Sequence, residues 1–331
     1  MALLELTESG LFCPVAGIYI DPWRVVDRAV ITHAHSDHSR WGMKNYLAHH
    51  HSAEVMKLRL GKEINLQTVD YNQPLLINGV KISLHPAGHI PGSAQIRLEH
   101  NGKIAVVSGD YKVENDGLST PFEPVKCHEF VSECTFGLPI YKWESQTDIF
   151  HQINSWWKTN AAEGRNTVLF AYSLGKAQRI LQNLDRSIGS VFLHGAVWNT
   201  NQALIANGIE LWDVPRVTAE LPKSTFKGSL IIAPPSAMGT PWMKRFGSYR
   251  TGICSGWMAV RGTRRRRSAD RGFILSDHAD WEGLVSAITA TEAEKVYLTH
   301  GNTASFGRFL QEEKGIDAVE LKTLFGEEEE S

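Results

Sequence analysis

Cysteine is scarce and scattered. Only Cys13, Cys127, Cys134 and Cys254 occur, and no two form a Cys-x-x-Cys pair. That excludes a thiolate zinc knot and a disulfide framework. Long apolar runs are missing as well, since no stretch approaches the roughly 18–20 residues that span a bilayer. The opening Met1-Ala-Leu-Leu-Glu5 has neither the basic start nor the apolar core of a secretion signal. A cytoplasmic protein without a membrane partner is therefore expected. No excess of one charge exists either, with 34 Lys and Arg against 36 Asp and Glu. At 42% hydrophobic and 21% charged residues, the composition is that of a globular chain and not of a disordered or collagen-like one.

The near-neutral total conceals an asymmetry. Between Arg216 and Arg271 there are 12 basic and 2 acidic residues, a local +10 that leaves −12 elsewhere in a chain of net charge −2. A basic block on an acidic scaffold points to an anionic partner at one place.

Turn residues divide the first third of the chain into short apolar strands. Gly17–Asp21, Ala29–Thr32, Val80–Leu84 and Ile104–Ser108 are set off by breaks at Asp21-Pro22, Asn78-Gly79, His100-Asn-Gly102 and Gly109-Asp110. From about Phe136 strands alternate with helices, the pattern of a parallel sheet. Helices are expected over Thr147–Thr159, Lys176–Leu184 and near Asn201, with strands over Thr167–Ala171, Val191–His194 and Ser229–Ala233. The strand-then-histidine style returns at Phe273–Ser276 before His278 and at Lys295–Thr299 before His300. The expected class is α/β, with one α/β domain inserted in another: 1–138 and 272–325 form the outer domain, 139–271 the insert, and 326–331 an acidic tail.

The densest signal is Thr32-His33-Ala-His35-Ser-Asp37-His38, which packs three imidazoles and a carboxylate behind an apolar strand. Imidazole and carboxylate suit zinc, manganese or iron. Alternate residues can serve two neighbouring ions, His33 and His35 one, Asp37 and His38 the other. His89, Asp110 and His300, each just past a strand, are the remaining candidates, with Asp110 able to bridge. Two ions about 3.5–4 Å apart clamp both oxygens of an in-line displacement, so hydrolysis at phosphorus or at an acyl or lactam carbon is expected. His128 and His194 read as structural, and His49-His50-His51 as a solvated loop.

The His-x-His-x-Asp-His loop with its later His, Asp and His resembles the metallo-β-lactamase superfamily. The insertion between Asp110 and His300 narrows the resemblance to the β-CASP nucleases, and most of all to bacterial ligase-associated DNA exonucleases. Gly10-Leu-Phe-Cys-Pro14, Tyr19–Trp23, Ser108–Lys112, Gly175–Arg179, Ala233–Ser236, Ser255–Met258 and Arg264–Arg267 carry it. The resemblance implies an αββα metallo-β-lactamase sandwich with an inserted β-CASP domain. It implies that His33, His35 and His89 hold one divalent ion, that Asp37, His38 and His300 hold the other, and that Asp110 bridges. Asp37 would be catalytic. Asp21 and Asp280 would orient groups from behind, and His278, supported by Glu133, would protonate or stabilise the leaving 3′-oxygen. Cys134 stands where relatives often have a hydroxyl.

Arg261, Arg264, Arg265, Arg266, Arg267 and Arg271 crowd the 17 residues before His278 and read as phosphate-backbone contacts. Lys176 and Arg179, where a helix opens after Ser173-Leu-Gly175, read as a second anion site. The expected function is a DNA exonuclease of repair, dependent on two divalent ions (zinc, or manganese), leaning toward 5′→3′ polarity. By family resemblance a DNA ligase and a helicase are partners. The alternatives are a β-CASP ribonuclease acting on RNA and a small-molecule metallo-hydrolase.

Overall fold

The computed structural model describes residues 3–260 and 269–323. Arg261, Arg264, Arg265, Arg266, Arg267 and the tail 326–331 lie outside the described residues. The chain divides into two compact units. One joins the residues up to Tyr141 to those from His278 onward, and the other runs from Lys142 to Asp277. The expected boundaries are 138/139 and 271/272.

In the first unit, strands β1 (Glu5–Thr7), β2 (Gly10–Cys13), β3 (Ile18–Ile20), β4 (Arg28–Val30), β5 (Asn45–His49) and β6 (Leu66–Val69) form one sheet in chain order. β1 to β3 pair antiparallel, and β3 to β6 run parallel. Helix α1 (Ala53–Leu60) makes the crossover from β5 to β6. A second sheet starts as a meander of β7 (Leu75–Ile77), β8 (Val80–Pro86), β9 (Ala94–His100) and β10 (Lys103–Val107), and β11 (Glu129–Glu133) joins β10 in parallel.

The second unit contributes α2 (Gln146–Ala162), β12 (Asn166–Phe170), α3 (Lys176–Gln182), β13 (Val191–Leu193), α4 (Gly195–Ala206), β14 (Leu230–Ala233), β15 (Tyr249–Cys254) and β16 (Arg271–Phe273). Its sheet is parallel throughout, in the order β13-β14-β12-β15-β16. Both faces are covered, as parallel sheets require. Leu169, Leu230 and Ile232 pack with Ile153, Trp157 and Ile180 of the helices. The alternate residues Val168, Phe170 and Ile231 pack on the other side with Phe226, Met243 and Phe246. The strand expected over Phe273–Ser276 stops at Phe273, where the Leu275 N–H turns back on the Phe273 carbonyl at 3.0 Å.

The first unit then resumes with α5 (Trp281–Thr291), β17 (Lys295–Thr299), α6 (Thr303–Lys314) and β18 (Asp317–Glu320). β17 inserts beside β11, giving the order β18-β17-β11-β10-β9-β8-β7. Strand alternation sorts the side chains between two cores. Ile82, Leu84, Ile96, Leu98 and Val107 meet Ile18, Ile20, Val30 and Leu47 of the first sheet. Val106, Phe130, Val296 and Leu298 point the other way, onto Leu284 and Ile288 of α5 and Phe306 and Leu310 of α6.

This topology gathers the chemistry. β8 is antiparallel to β9, which is antiparallel to β10, and β10, β11 and β17 are parallel. The carboxyl ends of β8, β10, β11 and β17 therefore share one end of the sheet; Glu133 is the last residue of β11, and His89, Asp110 and His300 come just past the other three strands. Two glycines let these loops close up. A Cβ on Gly88 (φ +74°) would collide with the Lys112 carbonyl, and one on Gly301 (φ +69°) with the Cys134 carbonyl. Gly117 has the same φ of +74° with open space around it, so Gly117→Ala measures the cost of the left-handed backbone alone, about 1–2 kcal/mol. Gly88→Ala and Gly301→Ala are expected to lose clearly more stability than that in urea unfolding. Equal losses at all three positions would show that the close approach costs nothing.

Candidate metal centre

Strand β4 delivers the histidine loop, and Asp21 holds it. The Asp21 carboxylate accepts the Thr32 N–H at 2.8 Å, the Thr32 hydroxyl at 2.5 Å and the His38 Nδ1–H at 2.8 Å. A proton held on Nδ1 leaves Nε2 as the nitrogen that could offer a lone pair to a cation. Asp21 sits at φ +43° and His300 at φ +60°, unusual values for residues with a side chain and of the kind found at functional sites. The Thr32 hydroxyl also lies 3.1 Å from Nδ1 of His33.

Two groups of donors converge here. His33, His35, His89 and Asp110 bring their ligand atoms within 4.8 Å of one another, and so do Asp37, His38 and His300. Asp110 links the groups, its Oδ2 lying 3.4 Å from His33 Nε2, 3.5 Å from His38 Nε2 and 3.9 Å from His89 Nε2. His89 Nε2 is 3.1 Å from His35 Nδ1, and Asp37 Oδ2 is 3.3 Å from His38 Nε2. His33, His38, His89 and Asp110 are each at most 2% exposed.

These residues fit a pair of divalent cations. Buried His33 Nε2 and Asp37 Oδ2 have no hydrogen-bond partner among the described residues, a costly state for polar atoms unless something else satisfies them. The donor set is imidazole and carboxylate without thiolate, which suits zinc or manganese and leaves positions for substrate. Two ions held by these seven side chains would polarise a phosphoryl or acyl oxygen and make water nucleophilic near neutral pH.

Electrostatics point the same way. Burial, then the neighbouring imidazoles of His38, His89 and His35, push His33 well below the usual histidine range, which favours the neutral ring that a cation needs. Burial opposes charge on His38, but Asp37, Asp110 and Asp21 outweigh it and raise that imidazole well above its usual value. Burial would also raise the Asp37 carboxyl, yet His38 beside it holds it far below the carboxylate range. The centre gathers anionic charge that one or two cations can take up.

His278 and Glu133 form a third group with Asp110. His278 Nδ1 lies 2.8 and 2.9 Å from the two Glu133 oxygens, and the Tyr111 N–H donates to the same carboxylate at 2.9 Å. Burial raises the Glu133 carboxyl and His278 more than reverses it, leaving a lowered value. The His278 ring is 4.7 Å from that of His89. Asp280 caps α5, accepting the Gly283 N–H at 2.9 Å.

Several neighbours support the donor loops. Arg59 of α1 donates to the Ala34 carbonyl, between His33 and His35. Ser93 accepts the His89 N–H at 3.1 Å. The Cys134 thiol, which burial keeps protonated, donates to the His300 carbonyl at 2.8 Å, the office a hydroxyl performs. Thr32, adjacent to the motif, and Cys134, next to Glu133, were within reach of sequence reasoning, whereas Arg59 and Ser93 carried no signal there.

The expected basic contacts are placed differently. Lys176 and Arg179 are 2% and 1% exposed. Arg179 donates to Asp277 at 2.6 Å and to the Ser276 carbonyl at 2.8 Å, and Lys176 Nζ lies 3.9 Å from Asp277. The Gly175 N–H is taken by the Gln178 side chain at 2.7 Å, so this helix start is filled from within the chain. Arg271 is half-buried over the Phe273 ring. His194 caps α4, and His128 accepts the Ile104 N–H at 3.0 Å.

Because Asp21 holds His38 and stands outside the donor groups, Asp21→Asn is expected to weaken divalent metal binding by about 10–100-fold. Zinc titration against a chelating indicator measures this. An unchanged affinity would remove Asp21 from the support of the site.

No protein-family model matches the chain. It is similar to a protein named probable DNA ligase from Opitutus terrae, 30% identical over 313 residues that make up 94% of this chain and 30% of that protein. It is 32% identical over 127 residues to endoribonuclease YSH1 of Yarrowia lipolytica, covering 36% of this chain and 14% of that one. An RNase J-like protein of Methanocaldococcus jannaschii is 24% identical over 208 residues, 55% of this chain and 49% of that one. The chain thus spans less than half the length of each of these relatives. A solved structure of a protein of unknown function from Enterococcus faecalis V583 shares the fold at TM-score 0.61 and 13% identity, over 90% of this chain and 80% of that one. YSH1 and RNase J-like proteins are β-CASP members of the metallo-β-lactamase superfamily, and the similarity to them supports that family for this chain.

Proposed function

We propose that this chain is a metal-dependent phosphodiesterase acting on DNA ends, a 5′→3′ exonuclease of repair that uses two zinc or manganese ions. The observation that carries this reading is the juxtaposition of a seven-donor centre with a carboxylate-supported histidine that shares Asp110 with it. With Nδ1–H on Glu133, proton exchange between His278 and the leaving 3′-oxygen runs through Nε2, a general-acid role. His33, His35 and His89 would hold one ion and Asp37, His38 and His300 the other, with Asp110 placed to reach both. The metallo-β-lactamase sandwich with a β-CASP insert is the architecture this reading assumes.

DNA is favoured by the relative matched over nearly this whole chain, whose name is probable DNA ligase. A protein of that name carrying a segment like this chain also supports a ligase as partner. The second reading, RNA as substrate, draws on the relatives named endoribonuclease and RNase J-like. Arg264–Arg267 and Arg271 supply sequence-independent backbone contact in either case.

The deciding assay is a time course on a 5′-phosphorylated, 3′-labelled DNA strand, single and annealed, beside its RNA twin. Progressive shortening of DNA alone is expected, abolished by Asp37→Ala. Early release of a labelled mononucleotide would reverse the polarity, cleavage of RNA alone would move the chain to RNA processing, and no cleavage would overturn the nuclease reading. His278→Ala is expected to slow cleavage by roughly 10²–10⁴-fold with metal content unchanged. Metal loss in that variant would make His278 a ligand. Replacing Arg264–Arg267 by Ala is expected to flatten the salt dependence of binding by about 0.9 in log–log slope for each phosphate that is no longer neutralised. An unchanged slope would take those arginines out of the substrate path.

A further inference from the structure

Outside the proposed centre, the described residues hold one more cluster with ligand geometry. His49 ends β5, and His50 and His51 form the single 3-10 turn that follows it. They do not lie in a solvated loop. His49 is 1% exposed, and its ring stacks on Tyr71 with centroids 3.7 Å apart and planes 16° from parallel. The three rings pack on one another at centroid distances of 4.0–5.0 Å, and each offers a nitrogen within 4.8 Å of the others. Asp70, just past β6, sets its carboxylate 2.5 Å from His50 Nδ1.

We infer that His49, His50 and His51 form a third metal site, separate from the seven-donor centre, for a borderline divalent cation such as zinc or nickel. Three imidazoles with an open fourth position are a known zinc donor set. A carboxylate on the far nitrogen of one of them is the usual support of a metal-bound histidine. His50 and Asp70 are 42% and 70% exposed, which gives the ion a way in from solvent.

The site is tied to the proposed centre through the backbone. The Tyr71 hydroxyl, under the His49 ring, donates to the Ser93 carbonyl at 2.8 Å, and the Ser93 hydroxyl accepts the His89 N–H. The Ser52 hydroxyl donates to the Gly92 carbonyl at 3.1 Å. An ion fixing His49 to His51 would stiffen the loop that carries His89.

The test counts metal and does not depend on nuclease activity. The full chain is stripped with a chelator, reloaded with zinc and analysed for bound metal after gel filtration. Three equivalents are expected for the wild type and two for His50→Gln/His51→Gln, whose exposed or half-buried positions spare the core. A double variant that binds as many equivalents as the wild type would overturn the site. In a His33→Ala/Asp37→Ala/His300→Ala background one equivalent is expected to persist and to vanish on adding His50→Gln/His51→Gln. Its absence from that background in a folded protein would also overturn the proposal. Asp70→Asn is expected to weaken this one equivalent by roughly 10–100-fold, and unchanged binding there would remove Asp70 from the site.

Discussion

Imidazoles and carboxylates buried within a few ångströms of one another need positive charge among them to be stable. His33, His38, His89 and Asp110 are almost fully removed from water, and Asp37 stands 3.3 Å from His38. Each group gives up hydration on burial, and His33 Nε2 and Asp37 Oδ2 find no hydrogen-bond partner among the described residues. Divalent cations would offset that cost. Much of the first unit is consistent with a scaffold for holding this arrangement in place: parallel strands that end together, a carboxylate behind His38, and glycines where the loops cross.

The supporting residues matter as much as the donors. Asp21 satisfies the Thr32 backbone, the Thr32 hydroxyl and His38 at once, and it does so from a left-handed backbone. Glu133 performs a parallel task for His278, with the Tyr111 N–H aligning it from behind. In both cases a buried acid sets which imidazole nitrogen carries the proton, and with it which nitrogen faces the chemistry. In the proposed reading, two such acid–histidine pairs, one behind the donors and one beside them, would separate a binding role from a proton-transfer role within one site.

How legible this was in the sequence depended on the range of each interaction. The His-x-His-x-Asp-His run is local, and strand β17 was placed at its observed Lys295–Thr299 because an apolar run bounded by turns is local too. The strand at Phe273–Ser276 was misplaced because its end is set by the Leu275 N–H turning back on Phe273, which no periodicity records. The histidine triplet read as a solvated loop because polarity in sequence says nothing about Tyr71 arriving from 20 residues away to cover it. Lys176 and Arg179 looked like phosphate ligands for the same reason, since Asp277 lies about 100 residues further along the chain. Arg59 and Cys134 act through backbone carbonyls of the donor loops, contacts that only the folded chain creates.

Anomalous diffraction from zinc-loaded crystals of the full chain tests the centre most directly. Two peaks on either side of Asp110 are predicted, one among His33, His35 and His89 and the other among Asp37, His38 and His300, with Glu133 and His278 bound to each other and to no metal. A single peak there, or a peak held by Asp110, Glu133 and His278, would contradict the assignment of donors and proton-transfer group on which the proposed chemistry rests.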